Sequence, residues 1–170
     1  TKAGLKIPQI FDAAINREVR AVWIIGEDVV QTDPNSAHVA KAMNALDLLV
    51  VQEIFMSETA KHADVVLPGT TFLEKDGTFT NTERRVQRVN KAAEPLPGTK
   101  PDGLIVTEMM QKLGYDQKLY DADEVLAEIA DVVPFFKGIT RERLGKLGLQ
   151  WPVKEDGTDT KILHEKEFKL

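Results

Sequence analysis

Three short polar turns carry most of the chemistry that this sequence can offer. Gly26-Glu27-Asp28 follows an apolar run over 21–25 and precedes Thr32; Gln52-Glu53 follows the run 48–51; Pro68-Gly69-Thr70-Thr71 follows 64–67. Carboxylates only accept hydrogen bonds, whereas a carboxamide both donates and accepts. Such a set suits a ribose diol, or the adjacent N–H and NH2 donors of a guanine edge. A hydrogen bond to a charged group contributes ~1.5–3 kcal/mol, enough to select a base. Any phosphate would then fall to backbone amides or to the Thr32 hydroxyl. Asp28 and Glu27 fit equally well a local task, satisfying turn amides, for which aspartate is common. The sequence has neither Gly-x-Gly-x-x-Gly nor Gly-Lys-Ser/Thr, so the dinucleotide fingerprint and the triphosphate loop are both absent.

The elements that must position these turns follow from the apolar pattern. Ile7, Ile10, Phe11, Ala14 and Ile15 recur at helical spacing. Residues 21–25 read as a strand buried on both faces. Thr32 or Asp33 can cap a following helix with Pro34 in its first turn and Ala37, Ala40, Met43 and Leu46 as its buried stripe. A second strand spans 48–51, a short helical turn 57–62, and a third strand 64–67. This alternation predicts an α/β fold: an open, mostly parallel sheet flanked by helices, a Rossmann-like half, with right-handed crossovers. Ligands of such sheets bind outside the carboxyl ends of the strands. All three polar turns therefore fall on one edge.

From Gly77 the pattern changes. "GTFTNTERRVQRVNKA" predicts an extended loop or irregular hairpin, and "EPLPGTKPDG" is a proline-rich surface connection. Helical patterns cover 104–113, 122–133 and 140–147, forming a C-terminal helical extension. The stretch after Trp151-Pro152 has no core-forming periodicity and reads as a linker or tail.

Bulk properties narrow the classes. The 170 residues are 42% hydrophobic and 29% charged, which fits one compact domain with its own core. The net charge of −5 argues against a nucleic-acid partner. With no cysteine, disulfides, thiolate metal sites, iron–sulfur ligands and cysteine nucleophiles are excluded. No apolar run nears the ~20 residues of a membrane span, and no signal peptide is evident, so a cytoplasmic chain is expected. The start at Thr1 and the charged end "KILHEKEFKL" suggest cuts in a longer polypeptide, with a processed terminus as the alternative. Glu58 and His62 have ligand spacing but no third ligand, so they read as a solvated pair. Arg84, Arg85 and Arg88 read as a solvated basic face, and Phe135-Phe136 as packing. Nothing places a nucleophile beside a base.

The blocks "WIIGEDVVQTDPNSAHV", "LDLLVVQEIFMSETAKHADVVLPGTTFLEKDGTFTNTERRVQRV" and "GLQWPV" resemble the alpha subunit of molybdopterin-dependent formate dehydrogenases, within the wider molybdopterin oxidoreductase family. The resemblance runs from about Ile7 to Pro152. It implies a molybdenum or tungsten ion held by two molybdopterin guanine dinucleotides, with an iron–sulfur cluster nearby in the parent subunit. It places cofactor contacts on Gly26, Glu27, Asp28, Thr32, Gln52 and Gly69, and guanosine recognition on Asp102 of "KPDG". Two positions depart from the family pattern: Val29 where proline is usual, and Gly103 where tryptophan is usual.

The family's active-site selenocysteine or cysteine, its catalytic histidine and arginine, and its cluster cysteines have no counterpart here. No catalytic or metal-binding residue is therefore expected in this chain, which would act within a larger formate-oxidising subunit. Its partners would be the remaining domains of that subunit and other formate dehydrogenase subunits. The implied division is a cofactor-binding region over 1–115, a helical extension of the same domain over 116–152, and a linker or tail over 153–170. The alternatives are another molybdopterin oxidoreductase such as a nitrate reductase, or a free-standing nucleotide-binding module.

Overall fold

The computed structural model describes residues 3–154, 156–164 and 167. The chain divides into two compact units, Thr1–Thr70 with Leu96–Asp102, and Thr71–Pro95 with Gly103–Leu170. Residues 71–95 group with residues 103–170 in the second of these units.

The first unit is the α/β layer. Its elements are α1 (Ile7–Ile15), β1 (Ala21–Ile25), α2 (Val29–Thr32), α3 (Ser36–Ala45), β2 (Leu48–Glu53), a 3-10 turn at Ala60–His62, and β3 (Val65–Pro68). The strands form a parallel sheet in the order β1-β2-β3. Register runs from Ala21 opposite Leu48 to Ile25 opposite Gln52, and from Val50 opposite Val65 to Glu53 opposite Pro68. Side chains alternate across a strand, so Val22, Ile24, Leu49, Val51 and Val66 share one face. They pack with Phe11 and Ala14 of α1 and Val39, Ala42 and Met43 of α3.

The opposite face differs from the expectation that strand 21–25 is buried on both sides. Ile25, Leu48 and Val65 are exposed there, because α1 and α3 pack against each other on the first face.

The helix start also differs from the sequence reading. Neither Thr32 nor Asp33 caps α3; Asn35 does, its side-chain oxygen accepting from the His38 amide at 3.2 Å. Asp33, extended before Pro34 at φ −77°, ψ 134°, instead accepts from the Asn35 amide at 2.8 Å through Oδ1, so the chain turns once more and the helix starts at Ser36. The single turn α2 precedes Asp33. Starting from Asn35, the buried stripe falls on Val39, Ala42 and Met43.

The second unit is antiparallel where an irregular loop was one expectation. It contains a 3-10 turn at Phe72–Glu74, β4 (Gly77–Thr80), β5 (Arg85–Val89), α4 (Asp102–Lys112, whose first residue lies in the first unit), α5 (Ala122–Val132), a 3-10 turn at Pro134–Phe136, α6 (Arg141–Leu144) and β6 (Leu149–Gln150). β5 lies between β4 and β6. Asn81 shapes the hairpin, its carboxamide oxygen accepting from the Glu83 and Arg85 amides at 3.1 and 2.9 Å. Val86, Leu126, Ile139 and Leu144 form the core beneath.

Arg84 departs from the solvated face expected of it. It is a left-handed residue at φ 67°, and its guanidinium donates to the Trp151 carbonyl and, at 3.0 Å, to that of Thr160. It also lies 5.7 Å from the centre of the Trp151 ring, which packs with Phe135 and Phe136. Two residues beyond Trp151-Pro152 are packed. Val153 packs on the core and Thr160 is buried. The end of that expected tail, 165–166 and 168–170, lies outside the described residues.

Candidate functional site

The parallel register brings the strand ends together at one edge of the first unit. Gly26 follows β1 in the left-handed region, at φ 63°, which glycine alone adopts without a Cβ penalty. Its amide donates to the Gln52 carbonyl at 2.9 Å. The chain then turns so that Asp28 points back toward the segment after β2.

The Asp28 carboxylate is committed to that segment. One oxygen accepts from the Thr59 amide at 2.9 Å and from the Thr59 hydroxyl at 2.7 Å, and the other accepts from the Glu58 amide at 3.3 Å. The same Thr59 hydroxyl accepts from the Val30 amide at 3.1 Å. Desolvation pushes the Asp28 carboxyl up, but the Thr59 hydroxyl and amide, then the Glu58 and Gln31 amides, outweigh it and hold its pKa below the ordinary 3.8. Asp28 thus ties the β1 turn to the turn preceding β3. Thr59, fully buried, was missed by the sequence reading. Its only signal was a hydroxyl residue beside the apolar Ala60 in a short helical turn.

Glu27 and Thr32 form a separate, exposed pair, the Thr32 hydroxyl donating to Glu27 Oε1 at 2.7 Å. Gln52, Gly69 and Asp102 form the third cluster. The Gln52 side chain, with 0% of its surface exposed, donates through Nε2 to Asp102 Oδ1 at 2.8 Å. Gly69 donates its amide to the Glu53 carbonyl at 3.0 Å and bridges to Lys100, whose amide reaches the Pro68 carbonyl at 3.1 Å. A Cβ on Gly69 would stand 3.1 Å from Asp102 Oδ1. Glycine is therefore what lets the "KPDG" segment bring its carboxylate against the end of β3.

Two side-chain atoms at this edge are buried without a hydrogen-bond partner, Gln52 Oε1 and Thr70 Oγ1. Buried polar groups are normally paired, so these atoms match a ligand bearing hydrogen-bond donors. The guanine edge and ribose of a molybdopterin guanine dinucleotide carry such donors. The residues present therefore fit the cofactor that the resemblance implies.

In the second unit, the Tyr120 ring lies over Gly103, so close that a Cβ there would stand 2.3 Å from a ring carbon. Tyr120 fills the space that any side chain at position 103 would need. Glu58 pairs with Lys61 at 2.5 Å, and His62 Nδ1 lies 3.1 Å from Asn44 Oδ1, so each has its own neighbour. Among the described residues no three His, Asp or Glu side chains gather as a metal site would require, and no helix is long and apolar enough to cross a membrane.

A parallel sheet with its polar turns gathered at the carboxyl edge defines an α/β protein with a candidate ligand site at its strand ends. The chain belongs to the molybdopterin oxidoreductase family, whose model matches residues 2–112. It is 45% identical over 169 residues to the F420-dependent formate dehydrogenase subunit alpha of Methanocaldococcus jannaschii, covering 98% of this chain and 25% of that protein. It is 46% identical over 168 residues to the F420-dependent formate dehydrogenase 2 subunit alpha of Methanococcus maripaludis, covering 97% and 25%. The chain thus spans 25% of the length of these curated relatives. Acetylene hydratase from Pelobacter acetylenicus shares the fold, with a TM-score of 0.57 over 62% of this chain and 15% of that one at 24% identity.

Proposed function

We propose that this chain binds the guanosine end of a molybdopterin guanine dinucleotide within an oxidoreductase subunit that oxidises formate to carbon dioxide, a proton and two electrons. The observation that carries the reading is the Gln52–Asp102 hydrogen bond at the carboxyl edge of the sheet, beside the unpartnered Gln52 Oε1. A carboxylate and a carboxamide oxygen held together form a pair of acceptors. Guanine offers adjacent N–H and NH2 donors to such a pair; adenine offers one amino group beside an acceptor nitrogen, which two acceptors disfavour.

The residues divide the work. Asp102 accepts from the base, Gln52 orients Asp102, and Gly69 admits the close approach. Gly26 turns the chain at the strand end, and Asp28 fixes that turn through Thr59. Glu27 and Thr32 face the more polar ribose and phosphate part. The cofactor, with molybdenum or tungsten, would supply the two-electron chemistry, as cofactors carry such chemistry in general. This chain holds no cysteine for an iron–sulfur cluster. The substrate assignment is supported by the formate dehydrogenase alpha subunits that the sequence most resembles among the relatives described above.

The exposed sheet face of Ile25, Leu48 and Val65, with Phe55 and Met56 at 73% and 65% exposure beyond β2, is where the other domains of the subunit would pack. Parallel sheets are covered on both faces as a rule.

A backbone-amide NMR titration with GDP, against ADP as control, tests the site. Shifts confined to 26–32, 52, 69–70 and 102, with GDP preferred, support it. Equal responses to both nucleotides, or shifts elsewhere, overturn it.

A further inference from the structure

We infer that Thr70 is a ligand-binding residue of this same site, its hydroxyl and Gln52 Oε1 together pairing with polar groups of a bound guanine nucleoside. The inference rests on the guanosine reading given under Proposed function. Among the described residues, four buried side-chain polar atoms lack a partner. Two are indole N–H groups, Trp23 Nε1 and Trp151 Nε1. The other two, Gln52 Oε1 and Thr70 Oγ1, are the ones able to accept, and both sit just at the carboxyl ends of adjacent strands.

Their placement is fixed by backbone. Gln52 ends the β1–β2 register opposite Ile25, and the amide of Gly69, immediately before Thr70, is held by the carbonyl of Glu53, immediately after Gln52. The Gly69 position lies against Asp102 Oδ1, which Gln52 Nε2 holds. Thr70 is 2% exposed and Gln52 0%. Neither side chain is there for solubility, and an unmade hydrogen bond in the interior is unfavourable. A buried hydroxyl kept unpaired one residue after the glycine that faces Asp102 is explained by a partner that arrives with the ligand. Entry then requires the covering side chains to move aside, and the gained hydrogen bonds offset that movement.

The inference separates binding from stability. Thr70→Val keeps the shape and removes the hydroxyl, whereas Thr70→Ser keeps the hydroxyl. GMP binding to the 170-residue chain is measured by calorimetry, and melting of the ligand-free chain by circular dichroism. The expected result is GMP binding about three- to tenfold weaker for T70V, the size of one neutral hydrogen bond, near wild type for T70S, and melting of T70V at or above wild type. Equal GMP affinity of wild type and T70V shows that only water met the hydroxyl and overturns the assignment of Thr70 while leaving the guanosine site standing. A T70V chain that melts below wild type makes the hydroxyl structural and likewise overturns it. No GMP binding by the wild-type chain overturns the guanosine reading and Thr70 with it.

Discussion

Gln52 Nε2 lies 2.8 Å from Asp102 Oδ1, joining the end of β2 to the first residue of α4 across fifty positions of sequence. The bond joins a strand end to a proline-rich connection and fixes the direction of the Asp102 carboxylate at that edge of the sheet.

Replacing the Gln52 carboxamide by a carboxylate tests that coupling. Gln52→Glu sets one acid against another in the interior, where neither can donate unless protonated. The variant is expected to lose about 1–3 kcal/mol in urea unfolding and to lose its preference for GDP over ADP. Unchanged unfolding and preference would show that Asp102 needs no orienting partner.

Asp28 predicts a pH dependence. Its carboxyl is depressed in the folded chain below 3.8, the ordinary value that the unfolded chain retains. Between the two values the unfolded state binds more protons, so stability rises with pH there. The contribution is fully present above 3.8 and is lost as pH falls through the folded value. Melting temperature followed from pH 6 down to about pH 2 should fall more steeply for wild type than for Asp28→Asn, which removes the titration. Parallel curves for the two proteins would rule out Asp28 as a stabilising carboxylate.

Gly69→Ala is expected to be nearly neutral for stability yet harmful to binding. Alanine in place of glycine stabilises by ~0.4–1 kcal/mol through the unfolded chain when its conformation is allowed. The new Cβ at 3.1 Å from Asp102 Oδ1 must push the carboxylate by a few tenths of an ångström. Weaker GDP binding at unchanged melting temperature is the expected pair of results. Wild-type affinity would mean that the carboxylate yields without consequence.

Arg84→Ala should loosen the second unit. The guanidinium donates to the carbonyls of Trp151, Thr160 and Lys161, and hydrogen bonds of a charged donor are the stronger kind. A loss of about 1–3 kcal/mol should accompany faster proteolysis within 153–161, read by mass spectrometry of limited digests. Arg84→Gly relieves the left-handed backbone and should recover part of the stability but none of the protection.

The sequence by itself determined the elements of the α/β layer and the edge on which the polar turns meet. Apolar runs at 21–25, 48–51 and 65–67 pattern as strands, and parallel pairing puts Gly26, Gln52 and Gly69 at the same end. The start of α3 was misplaced, because Pro34 was expected in its first turn and Asn35 caps the helix instead. Only the tertiary structure decided what the polar groups do. Asp28 meets Thr59 thirty-one positions away, Gln52 meets Asp102 fifty away, and Arg84 reaches Thr160 seventy-six away. Periodicity reports which face of a helix or strand is buried, because burial repeats with the backbone. The choice of hydrogen-bond partner does not repeat; it is fixed by which distant segments the packed core happens to bring within 3 Å.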